Sequence, residues 1–359
     1  MNAGPFPLAE VTRSGLTECI HHGHVVVTDP DGRILHAVGD PHVRTYMRSA
    51  AKPIQAMAVV RSGAADAFAL TDTELAVICS SHYGEPFHVQ AVQGILAKTG
   101  LSFADLRCGR ATSLSPDYAL QLARQGVDPA PQYNDCSGKH AGMLAACVHH
   151  GYSRGDYLDP DHPLQRENRR NLAAVSGLPE AEIGIGVDGC SAPVFALPLA
   201  AMARAYARLA VPATLPPELG ATVPRIWRAM TMHPEMIAGT GGFCTELMRH
   251  TGGKLLGKLG AEGVYCIAVR PQGVGLALKI ADGNARAIPP VALRVLEALD
   301  ALTVMERKVL APFAVRQNVN DAGTVVGEIR PAFRLRWGQP GPLDPGGAPR
   351  SPRQRPFVR

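Results

Sequence analysis

The chain has 359 residues, of which 46% are hydrophobic and 19% charged, and this is enough to bury a sizeable core. No apolar run approaches the roughly 20 residues that span a bilayer, and the start lacks a secretory signal, so we expect a cytoplasmic protein without membrane contact. The net charge of +5 comes from segment 334–359, which holds six arginines and one aspartate. A neutral body with 5% aromatic residues argues against a nucleic-acid partner.

The first predicted elements are a hairpin and a helix. Residues 24–38 indicate a β-hairpin, because two apolar runs flank an Asp-Gly turn. Residues 48–63 have helical periodicity that ends at a glycine. Further helices are predicted at 72–79, 88–99, 139–150, 164–176, 193–209, 221–232 and 289–302, and strands return over 254–280.

This order predicts an α+β fold in which one antiparallel sheet takes strands from both chain ends. We expect a single catalytic domain at 1–333, with a helical subdomain at about 64–250. The tail, 334–359, is rich in Pro, Gly and Arg and is predicted to be disordered.

Ser49 and Lys52 form the first motif with a mechanism. A serine hydroxyl needs a base within hydrogen-bond reach to become a nucleophile, and residues i and i+3 share one helix face. Lys52 must then be neutral part of the time, which burial and a second cation favour. Lys258 on a predicted strand is the candidate cation, because Ser-x-x-Lys followed by Lys-x-Gly is typical of serine β-lactamases. A buried helix carrying a surface lysine explains Ser49 and Lys52 about as well.

A second group of residues contains cysteines. The run from Asn134 to His140 reads NDCSGKH, and a second loop ends at Cys190. Two thiolates and a nitrogen ligand suit zinc, although a helix cap and a small hydrophobic cysteine are the simpler interpretation. His21, His22 and His24 are interpreted as surface residues.

Ten stretches in order resemble the rhizobial-type L-asparaginase II family, the thermolabile inducible enzymes. They are RSAAKP (48–53), CSSH (79–82), LRCG (106–109), NDCSGKHAGML (134–144), DHP (161–163), VDGC (187–190), HPEMIAG (233–239), CTELM (244–248), GKLGAEGVY (257–265) and KIADGN (279–284). CSGKHAGML and HPEMIAG are specific runs, and the short ones gain weight from their order.

The resemblance implies a serine β-lactamase and glutaminase-like fold and an amidohydrolase that converts L-asparagine to L-aspartate and ammonia. It implies two Ser–Lys tandems, Ser49 with Lys52 and Ser81 with Lys258, in which Ser49 forms an acyl-enzyme. The remaining roles that it implies are substrate binding by Arg48, His140 and Asp188 and zinc binding by Cys136, Lys139 and Cys190. Family members form homodimers.

Two departures from the family pattern concern the substrate. Arg110-Ala111-Thr112 replaces Gly-His-Pro, and Gly242 replaces an arginine. Two other functions therefore stay open: a zinc-dependent hydrolase of another small amide, in which Ser49 only binds, and an amino-acid-binding homologue with weakened turnover.

Overall fold

An antiparallel sheet of eight strands pairs the first and the last strands of the described residues. The structure is a computed structural model that describes residues 4–334. The strands in this range are β1 (Phe6–Arg13), β2 (Leu16–Thr28), β3 (Ile34–Val38), β4 (Arg44–Tyr46), β5 (Gly184–Val187), β6 (Pro193–Pro198), β7 (Leu255–Gly260), β8 (Val264–Val269), β9 (Val274–Ile280), β10 (Arg316–Val319) and β11 (Val325–Pro331). The large sheet has the order β10-β11-β1-β2-β9-β8-β7, with β3 also paired to β2, and a small sheet has the order β4-β6-β5.

The helices lie mainly in the middle of the chain. They are α1 (Lys52–Arg61), α2 (Ala64–Ala67), α3 (Asp72–Ile78), α4 (Pro86–Lys98), α5 (Pro116–Arg124), α6 (Ser137–His150), α7 (Pro163–Ser176), α8 (Leu199–Ala210), α9 (Pro217–Gly220), α10 (Val223–Met232), α11 (Phe243–His250), α12 (Ile288–Ala298) and α13 (Val304–Ala314). A 3₁₀ turn, Arg48–Ala51, leads directly into α1.

The α+β class and the sheet with strands from both chain ends are confirmed. The hairpin is confirmed as β2 and β3, and the late strands as β7, β8 and β9. The helix predicted at 193–209 is wrong over its first part, because Pro193–Pro198 is a strand before α8 begins. Its apolar run is short and pairs with both β4 and β5, and periodicity does not separate such a run from a buried helix.

Helix α8 packs against the large sheet and fixes the layer spacing. A side chain on Gly275 would place its Cβ 1.9 Å from the carbonyl oxygen of Ala203, so the backbones of β9 and α8 touch. The helices α1, α3, α4, α6 and α7 contact one another, and the buried apolar residues form a continuous cluster. This cluster surrounds the polar side chains described below.

The interpretation of the early histidines as surface residues is wrong for two of them. His21 and His24 lie within β2 and are buried. The Nδ1 atom of His21 lies 2.6 Å from the carboxylate of Asp282, and that of His24 accepts the backbone N–H of Asp40 at 2.8 Å. A strand that starts eight residues earlier than the predicted hairpin places them in the sheet.

Within residues 4–334, no helix is long and apolar enough to cross a membrane. The predicted disorder of the tail falls, apart from Arg334, outside the described residues. The domain division at 333 and the helical subdomain at about 64–250 stay predictions.

Candidate active site

Ser49 and Lys52 are held at the junction between the 3₁₀ turn and α1. Both side chains are buried, so the interpretation of Lys52 as a surface lysine is wrong. A Cβ on Gly260 would lie 2.7 Å from the carbonyl oxygen of Met47, which shows that β7 runs directly against this turn. Arg48 adopts a positive φ of 51°, a strained conformation for a residue with a side chain.

Ser81 is the point where the two lysines meet. It follows α3, and its backbone N–H donates to the carbonyl oxygen of Ile237 at 2.9 Å. Its Oγ lies 3.0 Å from Nζ of Lys52 and 2.8 Å from Nζ of Lys258. Two amines on one hydroxyl in a water-excluded site form a proton-transfer arrangement.

The hydrogen bonds indicate which lysine carries the proton. Besides Ser81, the Lys52 amine has two acceptors on Asp135, the carbonyl oxygen at 3.3 Å and Oδ2 at 3.4 Å. Three acceptors match the three N–H bonds of an ammonium group. The Lys258 amine has one further acceptor, the carbonyl oxygen of Leu259 at 2.8 Å, so a neutral amine there can accept the Ser81 proton.

Electrostatics give the same assignment. Burial and the charge of Lys52 lower the pKa of Lys258 to about 8. Burial also lowers the pKa of Lys52, but the neighbouring Cys136 and the Asp135 carboxylate outweigh burial and leave that pKa above its ordinary value. Lys258 was expected to be the second cation and Lys52 to be neutral part of the time; in this structure Lys52 is the resting cation and Lys258 the more easily deprotonated amine.

The expected contact between Ser49 and Lys52 is not made in this conformation. Within residues 4–334 the Ser49 hydroxyl has no hydrogen bond, and the Lys52 amine turns to Ser81 and Asp135 instead. Acceptors that carry charge draw an ammonium more strongly than a neutral hydroxyl does. Ser49 remains one turn from Lys52, within reach of a rotated side chain.

The structure brings Cys136, Lys139 and Cys190 together at the start of α6. Nζ of Lys139 lies 3.1 Å from Sγ of Cys190. A hydrogen bond from Cys136, followed by the charge of Lys139, holds the pKa of Cys190 far below its usual value, while the same bond raises the pKa of Cys136. Two buried sulfurs and an amine fit the donor chemistry of zinc. No group of three His, Cys, Asp or Glu with metal-binding geometry occurs in residues 4–334, so the third ligand would be the lysine.

His140 lies beside these sulfurs, with Nδ1 bonded to Tyr157 and Nε2 without a hydrogen-bond partner among residues 4–334. The Tyr157 hydroxyl accepts the backbone N–H of Arg107 and lies 2.7 Å from Nδ1 of His140. The hydroxyl proton therefore points to Nδ1, and the neutral ring carries its own proton on Nε2. Burial lowers the pKa of His140, which favours this neutral form. The nearby Cys190 acts against burial and raises the pKa of His140, but burial outweighs it.

Arg48 and Asp188 form an ion pair next to Ser49. Nε of Arg48 donates to Oδ1 of Asp188 at 2.8 Å, and the same oxygen accepts the N–H of Gly189 at 2.8 Å. One cation and one anion side by side can bind a molecule that carries both charges. The structure therefore brings together the residues expected to bind substrate, except His140, whose described contacts are with Tyr157 and Cys190.

Two residues of this site were not among the sequence candidates for function. The helix-cap interpretation of the run 134–140 is wrong, because no side chain caps the start of α6, and the carboxylate of Asp135 contacts Lys52 instead. The polar run from Asn134 to His140 was the available signal. Tyr157 lies in a loop without any motif, and only the fold brings it to His140.

Comparison with known proteins adds a family to this geometry. Residues 9–331 match the family described as L-asparaginase II. No curated protein matches the chain. Similar solved structures include a β-lactamase from Mycobacterium bovis (14% identity, 77% of this chain and 94% of that chain, TM-score 0.38). Others are a class C β-lactamase from Rhodobacter sphaeroides (14%, 78% and 95%, 0.40) and a simvastatin synthase from Aspergillus terreus (12%, 81% and 92%, 0.39).

Proposed function

Since the chain belongs to the L-asparaginase II family, we propose that it hydrolyses the side-chain amide of L-asparagine to L-aspartate and ammonia through an acyl-enzyme on Ser49. The observation that carries this proposal is that two buried lysine amines, those of Lys52 and Lys258, contact the hydroxyl of Ser81. Lys52 also lies one helical turn after the buried Ser49. Pure binding of an amino acid requires no such pair of bases.

The first step of the proposed mechanism is a proton shift. The Ser81 proton moves to the neutral Lys258 amine while the Lys52 ammonium gives one proton to Ser81. The net charge of the group is unchanged, and Lys52 becomes neutral. Both transfers run along existing hydrogen bonds of 2.8 and 3.0 Å. The shift costs free energy, because the pKa of Lys258 is lower than that of Lys52.

The covalent steps then use Lys52 as base and acid. Lys52 takes the Ser49 proton while Ser49 Oγ attacks the amide carbon. It returns this proton to the amide nitrogen, the carbon–nitrogen bond breaks, and ammonia leaves. A water molecule repeats the sequence on the ester: Lys52 takes its proton, the hydroxide attacks, and Ser49 leaves with that proton as aspartate is released.

The ion pair of Arg48 and Asp188 supports a zwitterionic substrate. Arg48 uses only Nε in its described hydrogen bonds, so its terminal nitrogens are available for the α-carboxylate of asparagine. The Asp188 carboxylate, whose side chain is 9% exposed, is available for the α-amino group. This placement sets the side-chain amide near Ser49, the residue after Arg48.

A zinc ion would be held by Cys136, Lys139 and Cys190. As a Lewis acid, it would bind a polar group of the substrate and so position it. For this, the buried ammonium of Lys139 must lose its proton. Burial lowers the pKa of Lys139, but the Cys190 thiolate and the neighbouring Cys136 hold it above the ordinary value. Since zinc would only position substrate, Ser49 supplies the nucleophile and the lysines supply the base.

We also propose that the chain belongs to the rhizobial subtype, forms a homodimer and is located in the cytoplasm.

The deciding experiment measures ammonia release from asparagine by the wild-type chain and by Ser49→Ala, with and without a chelator. We expect turnover by the wild type in both conditions and a fall in kcat of about three orders of magnitude or more in the variant. Near-normal turnover by Ser49→Ala that the chelator abolishes would identify a zinc-dependent hydrolase. Binding of asparagine without ammonia release would identify a sensor.

A further inference from the structure

Asp135 contacts the same Lys52 amine that contacts Ser81. Both its carbonyl oxygen and its Oδ2 accept from Nζ of Lys52, at 3.3 and 3.4 Å. The side-chain amide of the neighbouring Asn134 fixes the loop. Its nitrogen donates to the carbonyl oxygen of Cys108, and its oxygen accepts the backbone N–H of Cys136. The carboxylate is therefore held in place before substrate arrives.

The carboxylate of Asp135 forms an ion pair with the Lys52 amine, with Oδ2 at 3.4 Å from Nζ. The Lys52 side chain is 1% exposed and that of Asp135 32%, so water screens the lysine end poorly. An ion pair in such a setting stabilises an ammonium far more than the same pair at a surface.

We propose that Asp135 is a positioning residue that completes a Ser49–Lys52–Asp135 arrangement, in which the carboxylate stabilises the ammonium formed when Lys52 takes the Ser49 proton. A nucleophile, its base and a third group that orients the base are the general form of a catalytic triad. Here the third group approaches the lysine amine directly, and Ser81 connects the same amine to Lys258. This role rests on the proposed function.

The arrangement also explains why two lysines are needed. The attraction of Asp135 favours the charged form of Lys52, which opposes its action as a base in the ground state. Lys258 offsets this by accepting a proton through Ser81, at 2.8 Å from its own Nζ. Asp135 then contributes where positive charge returns to Lys52, in the transition state, so its contribution appears in kcat.

The test compares Asp135→Asn and Asp135→Glu with Asp128→Asn, a control on an exposed aspartate, in assays of ammonia release. We expect Asp135→Asn to lower kcat about 10²–10⁴-fold with KM close to that of the wild type. Asp135→Glu should recover part of this loss, because it restores the charge. Asp128→Asn should match the wild type.

Because Asp135 precedes Cys136, metal content needs its own control. The ratio of wild-type to Asp135→Asn kcat should be the same with added zinc and with chelator, in proteins whose circular dichroism shows the same fold. The role would be overturned if this ratio fell to about one in either condition, if kcat were unchanged in the variant, or if only KM changed. These results differ from failure of the proposed function, in which the wild type itself shows no turnover that depends on Ser49.

Discussion

Nζ of Lys258 lies 2.8 Å from Oγ of Ser81, although 177 positions separate the two residues. Lys258 is on β7, the edge strand of the large sheet, and Ser81 follows a helix of the middle region. The contact therefore joins the sheet to the helices at the site. It also gives Lys258 the environment that lowers its pKa to about 8, through burial and the charge of Lys52.

The first prediction concerns pH. If neutral Lys258 accepts the Ser81 proton, kcat/KM increases as pH rises through about 8, because a larger fraction of the lysine is then unprotonated. Lys258→Met should lower kcat by several orders of magnitude and remove this limb of the profile. Lys308→Met, at an exposed lysine, should retain both rate and profile. A wild-type kcat/KM that falls with pH across this window would contradict the assignment of the base.

The second prediction concerns substrate charge. Arg48→Gln should raise KM for asparagine about 10- to 100-fold, since a charged hydrogen bond contributes roughly 1.5–3 kcal/mol. The variant should discriminate less between asparagine and 3-aminopropanamide, which lacks the α-carboxylate. Arg124→Gln provides the control, at an exposed arginine without a described ion pair. Equal preference for the two amides in the wild type would show that Arg48 does not bind this group.

Removal of the metal gives the third prediction. If zinc only positions substrate, Cys136→Ser and chelation should each raise KM while kcat stays within about tenfold of the wild-type value. Cys19→Ser is the control, at a cysteine that is partly exposed rather than buried. Loss of kcat at unchanged KM in the Cys136 variant would instead assign the metal a direct part in the chemistry.

The fourth prediction concerns Gly242, one of the departures from the family pattern. A Cβ at this position would lie 2.7 Å from the Cβ of Ala238 and 3.0 Å from the hydroxyl of Tyr83. Gly242→Ala should therefore lower the free energy of unfolding by about 1–3 kcal/mol, as measured by denaturant titration. Gly155→Ala, whose Cβ would have only the Ser153 hydroxyl within 4 Å, at 3.8 Å, should cost less. Equal stability of the two variants would mean that Tyr83 and Ala238 move aside freely.

Local pattern was sufficient for the elements whose signals are short-range. The Asp-Gly turn of the first hairpin and the helix that ends before Gly63 each depend on a few adjacent residues. Strands β1, β10 and β11 were not predicted. Strands β1 and β11 pair with each other across the chain, as Val11 does with Ile329, and no local pattern encodes such a partner. Strand β10 pairs with β11 in a local hairpin, and that local signal was missed.

The sequence by itself determined the residue types of the site and their order: a serine one turn before a lysine, a later serine, a late lysine on a strand, and two cysteines in glycine-rich loops. Which of these touch was decided by the tertiary structure, because hydrogen bonds and pKa values depend on distances across the fold. The fold brings the Asp135 carboxylate into contact with the Lys52 amine. It also buries the side chains of Lys52 and Lys258, whose amines both contact Ser81. Burial penalises two adjacent positive charges, so the fold also selected the lysine that holds the proton.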